Sequence, residues 1–310
     1  MKIEEAIKRY LDYLEIEKGK SIKTRRNYQY YLSVFKNFLE GLKKTEVSIE
    51  DIDLESIRLF RLFLNRKKID GQKRTLSKKT QSYYLIALRN FLKYLIRYNY
   101  KVLSPEKIEL PKIEPREIKV ISWEELERLL SAPKGNSLKE LRDRAILEML
   151  FSTGLRVSEL TNLKRKDINL KADEFTVRGK GSKIRIVFLS SVAKQALAKY
   201  LKKRQDSEEH LFVSLPKKNR VTPLTSRSIQ RIVSYWARRA GIVKPVTPHT
   251  LRHMFATDLL QNGADLRAIQ ELLGHSQITT TQVYTHLSNQ ALKEVYQAFH
   301  ARRRKKFNNI

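Results

Sequence analysis

Apolar residues recur at helical spacing through the first hundred residues of the chain. The four stretches that carry this pattern are 7–14, 28–39, 57–64 and 84–95. A period of 3.6 residues with one apolar face predicts four amphipathic helices, which would bury those faces against one another as a small bundle. Most aromatic residues of the region fall on the apolar faces. We therefore expect them in the core and not as a stacking platform for bases.

The helical period stops at residues 101–121, which contain three prolines. These are Pro105, Pro111 and Pro115. Proline fixes φ and favours an extended chain. We expect a linker at residues 104–117 that joins an N-terminal domain, residues 1–103, to a second domain, residues 118–290.

The second domain begins with Ser122 and Glu125, which have the spacing of a capping box before an apolar run. Helical patterning then gives way, at residues 174–189, to alternation of polar and apolar positions across a glycine-rich turn, which predicts a β-hairpin. Helical patterning returns after it. The expected fold class is therefore mainly α, with a four-helix bundle and a mostly helical domain that contains one small antiparallel sheet. Residues 291–310 are expected to be a basic tail.

The charge of the chain indicates a polyanionic partner. Lys and Arg number 63 against 33 Asp and Glu, a formal net charge of +30 over 310 residues. A fold does not need such an excess, and nucleic acid is the leading reason to keep it, because neutralised phosphates release counterions. A lysine-rich solvated surface is the alternative; an anionic membrane is a weaker one. The absence of cysteine excludes disulfides, thiolate catalysis and cysteine-ligated zinc.

The location of the protein is predicted from what the chain lacks. No apolar run approaches the ~18–20 residues needed to cross a membrane. The N-terminus carries acidic residues early and has no signal-peptide core. We therefore expect a cytoplasmic protein with no membrane partner.

Two predicted helices of the bundle begin with cations that suit DNA phosphates. Lys23, Arg25 and Arg26 stand in the first turns of the second helix, and Lys78 and Lys79 start the fourth. Cations at the positive end of a helix dipole are unfavourable unless an anion arrives. Ordinary exposed side chains are the alternative interpretation.

A helix of the second domain offers a further candidate DNA contact. Arg227, Gln230 and Arg231 share one face of it. Gln and Arg can recognise adenine and guanine edges, and they can equally contact phosphates.

The sequence HTLRH invites a metal interpretation, which its composition argues against. His249 and His253 have the spacing of a zinc-binding helix, but the glutamate of that motif is absent and Arg252 lies beside them. An anion fits better. Thr247 can cap the helix and Pro248 suits its first position, so His249 and Arg252 would offer a phosphate site at a helix start.

Further donors in the second domain complete a set for phosphoryl chemistry. The candidates are Arg156, Lys180, His249, Arg252, His275 and Tyr284. Arginines neutralise non-bridging oxygens, histidines donate or move protons, a lysine can protonate a leaving alkoxide, and a tyrosine oxygen can attack phosphorus. A lysine on a hairpin tip also solvates that turn. The set needs no metal and no cofactor.

The motifs TGLRVSEL, GKGSK, PHTLRHMFAT and LLGHSQITTTQVYTH together resemble those of the tyrosine site-specific recombinases of the phage integrase family, particularly the Xer recombinases. The resemblance covers nearly the whole chain. It implies that Arg156 and Arg252 bind the scissile phosphate, that Lys180 is the general acid, and that His249 and His275 assist. Tyr284 would form the 3′-phosphotyrosine. His253 and His286 are then structural neighbours.

The resemblance also implies the partners and the assembly. The expected substrate is double-stranded DNA with inverted half-sites, held in a C-shaped clamp of core-binding and catalytic domains. Exchange would pass through a Holliday junction in a tetramer, either of this chain or with a paralogue. The C-terminal segment would contact a neighbouring protomer or DNA.

Three alternative functions remain open at the level of sequence. They are a mobile-element integrase or excisionase of the same family, a type IB topoisomerase that relaxes DNA without synapsis, and a DNA-binding protein without catalysis. Chromosome or plasmid dimer resolution is the expected role.

Overall fold

The computed structural model describes residues 1–43, 45–68, 75–112, 121–179, 184–215, 220–274 and 289–300, with the side chains of 289–292 excepted. The chain divides into two compact units, Met1–Glu117 and Ile118–Ile310. Each unit has its own hydrophobic core. The fold is mostly helical with one small sheet, as predicted.

The first unit is a bundle of amphipathic helices. Its helices are α1 (Ile3–Ile16), α2 (Ile22–Lys43), α3 (Leu54–Arg66) and α4 (Lys78–Arg97). Helix α4 packs against the other three and supplies the largest share of the core. Phe35, Phe60 and Phe91 are fully buried between these helices, which confirms the prediction that aromatics form the core.

The start of the predicted linker packs against this bundle. Residues Pro105–Lys107 form a short 3₁₀ helix that contacts α4. Pro105 and Ile108 are buried, and Ile108 belongs to the core of the first unit. This part of the predicted linker is therefore an anchored segment, while residues 113–120 lie outside the described residues.

The second unit surrounds a central helix. Its elements are α5 (Trp123–Ser131), α6 (Leu138–Thr153), α7 (Val157–Asn162), β1 (Glu174–Arg178), β2 (Ile184–Phe188), α8 (Ser191–Lys203), α9 (Ser226–Arg239), α10 (Pro248–Gln261), α11 (Leu266–Leu273) and α12 (Asn289–Phe299). Helix α6 is buried along nearly its whole length because α5, α8, α9, α10 and β2 cover it from several sides. The predicted capping box at the start of α5 is confirmed: Ser122 N–H donates to Glu125 at 2.7 Å, and Glu125 N–H to Ser122 Oγ at 3.2 Å.

The C-terminal segment corrects the expectation of a tail. Helix α12 packs on α10, α11 and β2 of its own chain. The Tyr296 hydroxyl lies 2.8 Å from Ser152 Oγ. The His300 ring stacks on Tyr296 at 4.8 Å between centroids and lies tilted against Phe151 at 5.0 Å. Tyr296 and His300 lie one helical turn apart, so one face of the segment joins the core. The basic residues 301–310 lie outside the described residues.

Within the described ranges, no helix combines the length and the apolarity that crossing a membrane requires.

Candidate active site

The end of helix α11 gathers three arginines from three different elements. The helix closes at Gly274, whose backbone is left-handed with φ +62°. The last carbonyls each accept a hydrogen bond: Leu272 from Arg185 Nε at 3.1 Å, Leu273 from Arg252 Nη2 at 2.7 Å and Gly274 from Arg156 Nη2 at 2.9 Å. Carbonyls at a helix C-terminus have no partner within the helix and carry partial negative charge, so they suit cations.

Arg156 is set in place by the start of α7. It occupies the N-cap position, where its backbone N–H donates to Glu159 Oε2 at 2.8 Å. Its Nη1 donates to the other carboxylate oxygen of Glu159 at 2.9 Å. Arg156 remains about one-third exposed, with 33% of its side chain accessible. A guanidinium has five N–H donors, so these contacts leave Arg156 further donors for an anion.

Glu159 is a buried carboxylate between two arginines. Its oxygens also accept from Arg185, Nη1 to Oε1 at 2.9 Å and Nη2 to Oε2 at 2.8 Å. Burial alone would raise the pKa of Glu159. The hydrogen bonds and charges of Arg185 and Arg156 outweigh burial and lower that pKa to about 2. Glu159 is therefore ionised at neutral pH.

Arg252 is a buried cation on α10. Only 5% of it is exposed. Its Nη1 donates to the Gly154 carbonyl at 2.5 Å, and its Nη2 to Leu273. Burial first, and then the charges of Arg156 and Arg185, lower the pKa of Arg252 to about 10. The smaller part of the shift comes from the neighbouring positive charges, which also disfavour a charged Arg252.

The start of α10 confirms the predicted cap. Thr247 Oγ1 accepts from Thr250 N–H at 3.3 Å, and Pro248 takes the first helical position. His249 follows and is exposed, one turn before Arg252 on the same helix. His253 is half-buried.

The structure therefore brings together Arg156 and Arg252 of the predicted set, with His249 on the helix that carries Arg252. Lys180, His275 and Tyr284 lie outside the described residues, as does His286. Two of these sequence positions flank described elements directly. His275 follows Gly274 in the sequence, and Lys180 lies in the sequence between strands β1 and β2.

Two residues of the cluster were missed by sequence reasoning. Arg185 reads as an outward polar position of a hairpin, yet it shares the inward face with Val187, while Ile184 is 62% exposed. Glu159 reads as an ordinary first-turn acid of α7. Its three-residue spacing from Arg156 is the one signal that pointed to a pair.

The predicted cations of the bundle are mostly exposed. Lys23, Arg26, Lys78 and Lys79 are exposed at the starts of α2 and α4. Arg25 is half-buried and forms an ion pair with Glu15. Both helix starts follow a Ser-x-x-Thr pattern, and Ser21 and Ser77 accept hydrogen bonds from the backbone N–H three residues on, at 3.3 and 3.2 Å.

The predicted contacts of α9 share a solvent-facing side. Arg227 and Arg231 are exposed and Gln230 is half-buried. The opposite side of the helix buries Ile229, Val233 and Trp236 in the core. Elsewhere, the described residues contain no group of three or more His, Asp or Glu that could hold a metal ion.

The fold and the arginine cluster define a class of enzyme that acts on phosphodiesters. Residues 119–291 match the model of the phage integrase family, and residues 7–99 match the N-terminal SAM-like domain of phage integrases. The chain belongs to the phage integrase family and is a tyrosine recombinase, an enzyme that transfers DNA strands in site-specific recombination.

Relatives and solved structures agree with this assignment. The chain is 38% identical to tyrosine recombinase XerD of Oceanobacillus iheyensis over 97% of this chain and 99% of that one. It is 37% identical to tyrosine recombinase XerC of Syntrophus aciditrophicus over the same shares. XerH bound to palindromic difH substrate, a post-cleavage complex, matches with TM-score 0.63 and 26% identity over 88% of this chain and 79% of that one. A lambda integrase dimer bound to a COC′ core site shares the fold, with TM-score 0.69 and 19% identity over 93% and 100%.

Proposed function

We propose that the chain is an Xer-type recombinase that cleaves and rejoins DNA through Tyr284. The observation that carries the proposal is the end of α11, where Arg156 and Arg252 meet immediately before the segment that contains His275 and Tyr284. Two guanidinium groups with unused N–H donors suit the two non-bridging oxygens of a phosphodiester. The phenolic oxygen follows ten residues after this anchor.

The proposed reaction conserves the energy of the broken bond. The Tyr284 oxygen bonds to phosphorus as the bond from phosphorus to the 5′-oxygen breaks, which gives a 3′-phosphotyrosine and a free 5′-hydroxyl. Lys180 supplies the proton to the leaving oxygen, and one of the two histidines, His249 or His275, accepts the proton that the Tyr284 hydroxyl loses while the other donates a hydrogen bond to the phosphate. The reverse attack by a 5′-hydroxyl rejoins the strand, so the cycle consumes neither ATP nor metal.

The proposed substrate is double-stranded DNA with inverted half-sites in the cytoplasm. A tetramer of this chain, or a hetero-tetramer with a paralogue, would exchange one strand pair, form a Holliday junction and exchange the other. The similarity to a XerH protein bound to difH substrate and to XerC and XerD proteins supports dimer resolution as the role. The exposed Lys23, Arg26, Lys78 and Lys79 support phosphate contacts by the bundle.

The nucleophile is tested with a nicked suicide duplex that loses its 5′-hydroxyl strand after cleavage. Wild-type protein is expected to become covalently attached to the DNA, and Tyr284→Phe is not, because the variant lacks the attacking oxygen. Attachment is measured as a shifted band under denaturing conditions. Tyr235→Phe is the matched control: the Tyr235 ring meets Trp236 edge to face, and phenylalanine retains that ring. Equal attachment by wild type and Tyr284→Phe would refute the assignment.

Recombination is separated from relaxation by strand exchange between two differently labelled duplexes. Exchange products in the presence of a chelator support the proposal. Relaxation of supercoiled DNA without exchange products would instead favour a type IB topoisomerase.

A further inference from the structure

Each of the three guanidinium nitrogens of Arg185 donates a hydrogen bond to a partner within the protein. Arg185 lies in β2 opposite Val177 of β1, and 10% of its side chain is exposed. Nε donates to Leu272, while Nη1 and Nη2 bind the two oxygens of Glu159. A bidentate guanidinium–carboxylate pair has a fixed geometry as well as charge. Arg185 therefore links strand β2, helix α7 and the end of α11.

The ion pair between Arg185 and Glu159 determines how strongly the Glu159 carboxylate interacts with Arg156. Both oxygens of Glu159 are shared, one between the Nη1 groups of Arg156 and Arg185, the other between Arg156 N–H and Arg185 Nη2. If Arg185 were neutral, Glu159 would have Arg156 as its remaining guanidinium partner in this network. The carboxylate would then compete with a DNA phosphate for that guanidinium.

Arg185 also supports the turn that leads to the proposed nucleophile. A Cβ added at Gly274 would lie 2.9 Å from Arg185 Cδ and 3.1 Å from its Nη1. The arginine side chain thus fills the space beneath this glycine. Since His275 follows Gly274 in the sequence, Arg185 supports the helix end that precedes this segment.

We propose that Arg185 is a positioning residue of the recombinase. It donates hydrogen bonds to both carboxylate oxygens of Glu159, so that Arg156 keeps N–H donors for the scissile phosphate. It also fixes the end of α11, after which the segment with Tyr284 follows in the sequence. The effect of Arg185 on catalysis rests on the proposed function, whereas its anchoring of α11 is independent of that function.

The catalytic part is tested by single-turnover cleavage and DNA affinity of Arg185→Gln, Glu159→Gln and the double variant. Arg185→Gln is expected to cleave about 100-fold more slowly, the scale of a misplaced catalytic group. Its affinity for DNA should stay within about threefold, because Arg185 contacts protein and not solvent. The double variant should cleave at least about threefold faster than Arg185→Gln, because the uncharged amide that replaces the carboxylate of Glu159 no longer competes for Arg156.

Arg178→Gln is the matched control, since it removes the same charge from an exposed position of β1 in the same hairpin. It is expected to cleave within about threefold of wild type. An equal loss in Arg178→Gln, or losses in the double variant that multiply to about 10⁴-fold, would overturn the proposal by showing a general charge effect or independent roles.

The anchoring part is tested without DNA by hydrogen exchange. Arg185→Gln should exchange the amides of Leu272, Leu273 and Gly274 at least about tenfold faster, as expected for a locally opened helix end, whereas Arg178→Gln should not. Unchanged exchange overturns the anchoring. If wild type never attaches to DNA through Tyr284 while exchange responds as stated, the proposed function fails and the anchoring stands.

Discussion

The positive charges of the three arginines at the end of α11 repel one another, and the surrounding carboxylate and carbonyl groups hold the arginines in place. Burial first, and then like charges at close range, disfavour the charged form of Arg252 and lower its pKa. Glu159 and three helix-end carbonyls offset part of that repulsion. The residual positive charge supports the proposal that a DNA phosphate binds at this cluster.

The titration of Glu159 should make the free energy of unfolding depend measurably on pH. Its folded pKa is about 2, below the ordinary value of 4.5. A lowered folded pKa contributes stability that is complete above the unfolded pKa and is lost as pH falls through the folded one. Wild type should therefore exceed Glu159→Gln in free energy of unfolding at pH 6, and the gap should close between about pH 4.5 and 2. Urea unfolding across this range measures it.

Glu209→Gln is the control for this titration, because Glu209 is exposed and pairs with Lys164 at the surface. Solvent screens such a surface pair, so its loss should change the free energy of unfolding little at any pH in this range. A pH-independent gap for Glu159→Gln would contradict the assignment of its ionised state.

The sequence motifs identified Arg156 and Arg252. They did not identify Arg185, whose contacts depend on its position in the folded structure. Arg252 follows a capped helix start and a proline, which are local signals. The position of Arg185 depends on which face of a two-stranded hairpin meets α7 and α11. Tertiary packing decides that face, and it places Ile184 outward and Arg185 inward against the usual preference. No local pattern contains this information.

At the scale of elements, the junction of α6 and α7 depends on Gly154. It ends α6 in the left-handed conformation, with φ +58°, and its carbonyl holds Arg252. A Cβ there would lie 2.5 Å from Phe255 Cδ1. Glycine is required both for its backbone and for the close approach of α10.

A matched pair of glycines separates these two requirements. Gly241 also has positive φ, at +72°, but an added Cβ would meet nothing within 4 Å. Gly241→Ala should cost about 1–2 kcal/mol for the left-handed backbone. Gly154→Ala should cost about 1–3 kcal/mol more, for overpacking against Phe255. Chemical denaturation measures both, and equal costs would show that the contact with Phe255 relaxes freely.

Helix periodicity predicted the amphipathic helices because each buries a single face. Helix α6 is buried on several sides, so its composition indicated a helix while its period did not indicate a face. The α12 segment was assigned to a tail because its basic end dominates the composition. Val295, Tyr296, Phe299 and His300 have the spacing of a buried helical face, and that signal was available.

At the scale of the whole molecule, the net charge of +30 has a consequence for DNA binding. The affinity for a duplex should fall as a power of salt concentration, by about 10³–10⁵-fold between 50 and 200 mM for six to ten phosphate contacts. Fluorescence anisotropy at a series of salt concentrations measures the slope. Binding that ignores salt would contradict the interpretation of the charge.

The dependence of DNA affinity on salt concentration also indicates which lysines contact the phosphates. Neutralising Lys78 and Lys79 together, as Lys78→Gln with Lys79→Gln, should reduce the slope by about two, one for each lost phosphate contact. Lys202 and Lys203, exposed at the end of α8, are the matched control pair and should leave it unchanged. The reverse result would assign DNA contacts to α8 and not to α4.

The pairing of β1 with β2 sets which insertions and deletions this enzyme can tolerate. Side chains alternate between the two faces of a strand, so a shift of one residue within β2 would turn Arg185 away from Glu159 and bring Ile184 or Ile186 to its place. A change in length confined to residues 180–183 leaves that alternation intact. Natural or engineered variants that keep Lys180 should therefore vary in length between β1 and β2, and a single-residue deletion between Arg185 and Phe188 should reduce strand cleavage as much as Arg185→Gln does.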